Sequence, residues 1–399
     1  MTPARLEDYR EVAPRGTIEL LLRLAETLRG RRFVHVNASR FGGGSPELLN
    51  RLVPMLRELG IDGGWEVIVG DPDFYAAVRR LERALAGTEP SDTDATLRAW
   101  GDTAASNAST LSLEADLVMV HDVAPLPLVR HRGPGRWVWR GHGDLARAYR
   151  RVWHAVRRDL DRYDAAVFSL PKFAQRLSVP ILIVHPSIDP LGQKNRDLTR
   201  SEVQQALDRL GVPRDKPILL QVAPYARSAD PLGVVQAYHL AKKYADCRLV
   251  LAGWGAADNP EGSALLAELR ELATRDADLL PLVLPPDAAH EINALQRAAA
   301  VVVHKPLQED FGLAAAEAMW KGKPVVTSSA GGLSAQVVTE VTGYVVHSVE
   351  GAAFRIRQLL EDPDLATRLG GAAREYVRRS FLITRQLGDQ LALLASLTG

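Results

Sequence analysis

Short apolar runs alternate along the chain with longer stretches whose apolar residues recur every three or four positions. The first half places strands at 32–36, 65–69, 116–120, 136–140, 165–168 and 181–184. Between the first two, 46–59 reads as a helix with Leu48, Leu49, Leu52 and Leu56 on one face. The second half repeats the rhythm at 217–222, 248–252, 280–284, 300–303 and 324–326. Strand–helix alternation of this kind predicts parallel sheets with right-handed crossovers. The fold class is therefore α/β: two Rossmann-like doubly wound domains facing a cleft. Residues 1–189 form the first domain and 190–378 the second, and a last helix over 379–399 can pack back on the first. The proline-bearing stretch 186–200 reads as the linker. The segment 90–110 is polar and rich in Ala, Ser and Thr, and reads as a mobile excursion.

At 399 residues and 46% hydrophobic, the chain is long enough for two ordinary domains. The formal net charge is only +1, so no global field draws nucleic acid or an anionic membrane. Cys247 is the single cysteine, which excludes an internal disulfide framework and a CxxC metal site. No apolar stretch reaches the ~18 residues of a membrane span. The N-terminal residues are polar and do not read as a signal peptide. These features predict a soluble, cytoplasmic protein with small-molecule partners, and leave a homodimer open.

The richest stretch for chemistry is Gln308-Glu309-Asp310-Phe311-Gly312-Leu313, continuing through an Ala-rich helical run to Glu317. Glu309 falls in a strand-to-helix loop, and Glu317 lies about two helical turns further on. Gly312 lets a ligand approach the backbone. A second glycine turn, with Gly331 and Gly332, follows the next apolar strand. Two such units in series present backbone N–H groups along one sheet edge, which suits a nucleoside diphosphate. Phe311, Gly312, Leu313, Glu317, Gly331 and Gly332 are therefore the candidate nucleotide-binding residues. Near the N-terminus, Gly42, Gly43 and Gly44 precede the first long helix and bring amides to a ligand, with Arg40 beside them as a binder of phosphate or acceptor. His142 and Asp144 follow a Trp-rich strand, and His121-Asp122 follows another. His185 and His304 read as structural or rim residues. No cluster has metal-ligand spacing, and no Walker loop or nucleophile elbow is present.

The Glu-x7-Glu spacing with Phe-Gly after its first member resembles the donor site of family-4 retaining nucleotide-sugar glycosyltransferases. Five further blocks are similar to the trehalose glycosyltransferring synthases: 36–44, 120–122, 139–145, 186–191 and 317–324. The resemblance implies a GT-B arrangement and retaining transfer with no metal and no cofactor. The donor is a GDP, UDP or ADP sugar. By the same resemblance, Glu309 faces the donor sugar, Glu317 bonds the ribose and His142 lies by the reacting carbon, while the 40–44 loop and Asp144 serve the acceptor.

One loop departs from that pattern. The family's Arg and Lys after the first strand of the second domain fall here on Pro224 and Ala229. Those cations neutralise the departing diphosphate, and losing such a contact costs ~3 kcal/mol or more in the transition state. Arg227 is the nearest replacement and is taken as catalytic, and Lys305 is the other candidate. A better nucleophile than a hydroxyl needs less leaving-group help. The sequence reading therefore favours a sulfur or amine acceptor in natural-product assembly, such as lincosamide S-glycosylation. Transfer to glucose and a catalytically inactive binding protein are the alternatives.

Overall fold

The computed structural model describes residues 4–42, 44–88, 91–255, 260–285 and 287–398. The chain divides into two compact units, one made of Met1–Ser187 and Ile383–Gly399, the other of Ile188–Leu382.

The first unit is built on six parallel strands: β1 (Arg32–Asn37), β2 (Asp62–Val67), β3 (Leu117–His121), β4 (Arg136–Gly141), β5 (Ala165–Phe168) and β6 (Ile181–Ile183). Their spatial order is β2-β1-β3-β4-β5-β6. The central strands β3 and β5 are buried along their whole length, as helices on both faces require, and their sequences are correspondingly apolar. The edge strand β6 is largely exposed. β2 starts three residues earlier than its apolar run. Gly63 and Gly64 pair with Phe33 and Val34, and a Cβ on Gly64 would stand 3.0 Å from the Val34 side chain. Close backbone approach, with no side-chain signature of its own, sets that strand's register.

The second unit carries β7 (Ile218–Val222), β8 (Arg248–Gly253), β9 (Leu279–Val283), β10 (Val301–His304), β11 (Val325–Thr327) and β12 (Tyr344–Val345). These strands, also parallel, are ordered β12-β11-β10-β7-β8-β9. The order reverses at β7–β10, and in the first unit at β1–β3. Open α/β sheets bind ligands at the carboxyl ends of strands where the order reverses. The loops that follow β1 and β3, and those that follow β7 and β10, therefore stand at the ligand-binding edges of their sheets.

The stretch 90–110, expected as an excursion, holds a helix over Thr93–Ala108. Asp92 caps it by accepting from Ala95 N. Thr93, Thr96, Trp100, Ala104 and Asn107 form its buried face. Their spacing is helical, yet only Trp100 is large and apolar, so no hydrophobic stripe announces the helix. The Trp100 indole N–H donates to Val123 O at 2.7 Å, and Asn107 exchanges two hydrogen bonds with the backbone of Val69. Trp100→Ala should lower the unfolding free energy by about 3–5 kcal/mol, as for a fully buried tryptophan. Denaturant unfolding measures this; a loss below 1 kcal/mol would mean the helix is not part of the core.

Candidate active site

β10 ends at His304, and a loop carries the chain to the helix Leu313–Trp320. His304 is buried and its Nε2–H donates to Glu309 Oε2 at 2.8 Å. The other carboxylate oxygen accepts from Asp310 N at 3.1 Å. Glu309 is thus held by both oxygens. His304, read from the sequence as structural, orients it. Gly312 precedes the helix at φ +86°, and a Cβ there would fall 2.6 Å from Leu333 Cδ2.

Gly331 and Gly332 pack closely on the Glu309 loop. A Cβ on Gly331 would lie 2.0 Å from Glu309 O, and one on Gly332 would lie 2.5 Å from the Phe311 ring. Gly332 N donates to Asp310 O at 2.8 Å. The second glycine turn therefore packs backbone-to-backbone on the Glu309 loop, and the Gly332 amide is engaged there. Phe311 is buried, with its ring edge-on to Phe381.

Glu317 is buried on the helix and pairs with Lys194 at 3.5 Å. One turn later Lys321 Nζ donates to Asn195 Oδ1 (2.8 Å) and to Glu317 O (3.1 Å). Burial pushes the Lys321 ammonium well below the ordinary lysine range, against the attraction of Glu317.

The two candidate cations differ sharply. Arg227 has a side chain 57% exposed, and its guanidinium pairs with Glu268 at 3.4 Å. Lys305 is buried immediately after β10, and its ammonium pairs with Asp230 in the loop after β7. Asp230 also caps the helix Pro231–Lys242 by accepting from Gly233 N. The Lys305–Asp230 pair therefore ties together the two loops at the point where strand order reverses.

In the first unit three histidines stand in a row. His35 Nδ1 lies 3.0 Å from His121 Nε2, and His121 Nδ1 lies 3.3 Å from His142 Nε2. His121 and His142 stack with ring centroids 5.6 Å apart. Sheet register explains the row: His35 pairs with Met119, two residues before His121, and His121 pairs with Arg140, two residues before His142. Side chains two apart share a face. Burial holds His35 down at about 3 and puts His121 and His142 well below the usual histidine value, with buried Arg140 adding repulsion to the latter two. All three are neutral near pH 7. Asp122 has φ +62° and accepts from His142 N. Its carboxyl is raised to about 6 by burial.

The acceptor-side candidates are more dispersed in role. Arg40 donates to Trp65 O at 2.8 Å and lies over the Trp65 ring. Gly42 has φ +72° with open space where a side chain would be, and Gly44 opens the helix Gly44–Glu58. Gly43 lies outside the described residues. Asp144 is exposed and accepts from Ala146 N. Among the described residues no three His, Cys, Asp or Glu side chains group as a metal site, and no helix is long and apolar enough to cross a membrane.

Residues 35–175 match the family model "Trehalose synthase, N-terminal domain", and residues 203–376 match "Glycosyl transferases group 1". The fold is shared with Anabaena HepE, solved in complex with UDP and glucose: TM-score 0.67 at 16% identity, covering 92% of this chain and 99% of that one. The protein is a glycosyltransferase of the GT-B class. Over 402 residues it is 35% identical to the trehalose synthase of Pyrococcus horikoshii, spanning 99% of this chain and 97% of the relative. It is also 35% identical to the trehalose synthase of Rubrobacter xylanophilus, again across 99% and 97%. The chain belongs to the trehalose synthase family.

Two outcomes follow from this geometry. Gly331→Ala should cost about 2–3 kcal/mol of stability and displace the Glu309 loop, because its Cβ meets backbone rather than a movable side chain. Denaturant unfolding together with nucleotide-sugar binding would show both effects, and an unchanged midpoint would rule out the close packing. Asp122 contributes stability that is present below its unfolded value near 4 and is lost as pH rises through about 6. Asp122→Asn keeps the left-handed backbone accessible. Its stability relative to the parent should therefore improve from pH 4 to pH 6.5, and a difference independent of pH would count against the raised value.

Proposed function

We propose that the protein transfers a glycosyl group from a nucleoside-diphosphate sugar to glucose, with retention and without a metal ion. The observation that carries this reading is full-length similarity to trehalose synthases, at 35% identity over 99% of the chain. It favours transfer to glucose over the sulfur or amine acceptor to which the sequence departure pointed. Glu309, fixed by His304, meets the sugar hydroxyls, and Glu317 takes the ribose. The Gly312–Leu313 turn serves the diphosphate, with Phe311 packed beneath it. His142 donates to a sugar hydroxyl, and Arg40, Gly42, Gly43, Gly44 and Asp144 belong to the acceptor side. UDP is the first nucleotide to test, since HepE was solved with it, with GDP and ADP beside it. For the missing cation we favour Lys305. Arg227 is turned to Glu268, whereas Lys305 sits at the reversal point of the second sheet.

A second reading, transfer to a thiol or amine, rests on the loop after β7. There Pro224 and Ala229 bring no charge and Arg227 is paired elsewhere. Acceptor competition separates the two. UDP-, GDP- and ADP-glucose should each be offered with glucose, a thiol sugar and an amine, with EDTA present and the product anomer read by NMR. An α-linked disaccharide from glucose supports the first reading; product from the thiol or amine alone supports the second.

The cation assignment is tested by calorimetry. Removing Lys305 alone leaves the half-buried Asp230 carboxylate without its ion pair, so the useful variant is Lys305→Met with Asp230→Asn, which retains an N-cap. It should weaken nucleoside-diphosphate binding at least tenfold, about 1.4 kcal/mol. Arg227→Ala should leave binding within about twofold, a change worth about 0.4 kcal/mol. The reverse pattern would return the role to Arg227.

A further inference from the structure

The histidine row has a property that its separate members lack. A neutral imidazole carries one N–H and one bare nitrogen. With bonds between His35 Nδ1 and His121 Nε2, and between His121 Nδ1 and His142 Nε2, only two proton arrangements satisfy both contacts. In one, His35 Nδ1–H donates to His121, His121 Nδ1–H donates to His142, and His142 is left with its proton on Nδ1. In the other, every proton moves to the opposite nitrogen. His142 then presents a bare Nδ1, and His35 carries an N–H on Nε2. The two forms differ at the buried end of the row. His35 Nε2 is buried and has no hydrogen-bond partner. A buried N–H without an acceptor is costlier and rarer than an acceptor without a donor. The inner end therefore selects the first form.

We propose that His35 and His121 are positioning residues that lock His142 in the Nδ1–H tautomer, making it a one-way hydrogen-bond donor at its free end. His142 is partly exposed, whereas His35 and His121 are buried, so His142 is the end of the row open to a ligand. Burial keeps all three rings uncharged, so the preference persists across the neutral pH range. A fixed donor suits a sugar hydroxyl oxygen or an oxygen gaining negative charge, and it disfavours a role for His142 as a base. The choice of sugar as the ligand rests on the proposed function; the tautomer lock does not.

The test is 15N NMR of protein labelled at histidine, in the absence of substrate, where protonated and bare ring nitrogens resonate apart. His142 and His35 should each show a protonated Nδ1 and a bare Nε2 at pH 7. A protonated Nε2 on His142 overturns the proposal. His121→Phe and His35→Phe, which fill the space without a donor, should convert the single His142 form into a mixture. His35→Asn, whose amide N–H can replace the Nδ1 donor, should restore it. If either Phe variant fails to fold, the parent spectrum and the Asn variant still decide. A His142 signature unchanged in every variant also overturns the lock. His121→Phe should lower sugar-transfer turnover at least tenfold. If the tautomer mixes and turnover does not change, the lock stands and the placement of His142 against the sugar fails. If turnover falls with the tautomer intact, the lock fails.

Discussion

Every strand in each sheet runs in the same direction, and this is the constraint on which the rest of the site depends. A parallel sheet gathers the carboxyl ends of its strands along one edge, so loops far apart in sequence become neighbours. Where strand order reverses, adjacent loops diverge to opposite faces and leave room for a ligand. In the second unit that place lies between β7 and β10, and the Lys305–Asp230 pair spans it. In the first unit it lies between β1 and β3, and the His35–His121 contact spans that one. Both reversal points carry polar groups, buried or half-buried, that touch across the gap, where an ordinary core would place apolar side chains.

Close backbone packing gives these loops their rigidity. Gly331 and Gly332 bring the loop after β11 into contact with the main chain at Glu309–Phe311, and Gln336 donates from its side chain to Phe311 O. His304 then acts from below on the Glu309 carboxylate. A carboxylate fixed at both oxygens is a preorganised hydrogen-bond acceptor, and preorganisation is what an enzyme gains over water. Side chains that would loosen this arrangement are excluded by size, since even a methyl group would meet carbonyl oxygens. Gly331 and Gly332 are a condition for placing Glu309.

Membership of the trehalose synthase family rests on similarity along the whole chain, and the loop after β7 is held by its own contacts. Similarity extends across both units, and Pro224 and Ala229 in the loop after β7 carry no charge. On the neighbouring loop, Lys305 is a buried cation that pairs with Asp230 in the loop after β7. Its pairing with Asp230 sets its position at the cost of sharing its charge, a compromise common among buried ions.

Strand positions were legible in the sequence because parallel strands covered on both faces are apolar at successive residues, and most observed strands fall within a residue or two of those runs. The strand–loop–helix setting of Glu309 and Glu317 was legible for a similar reason, since a strand, a glycine-bearing loop and an Ala-rich helix are all local signals. β2 was displaced because two glycines, with no hydropathy to read, form its start. β12 is two residues long and left no pattern, and the helix over Thr93–Ala108 faces the core with small and polar residues. Tertiary structure alone decided which side chains meet. Strand order put His35 beside His121 and His121 beside His142 across separations of 86 and 21 residues. It also joined Lys305 to Asp230 and left Arg227 with Glu268. Sequence periodicity records which face of an element is buried, but not which element lies next to it. Contacts between strand ends depend on that neighbour relation, and only the folded sheet supplies it.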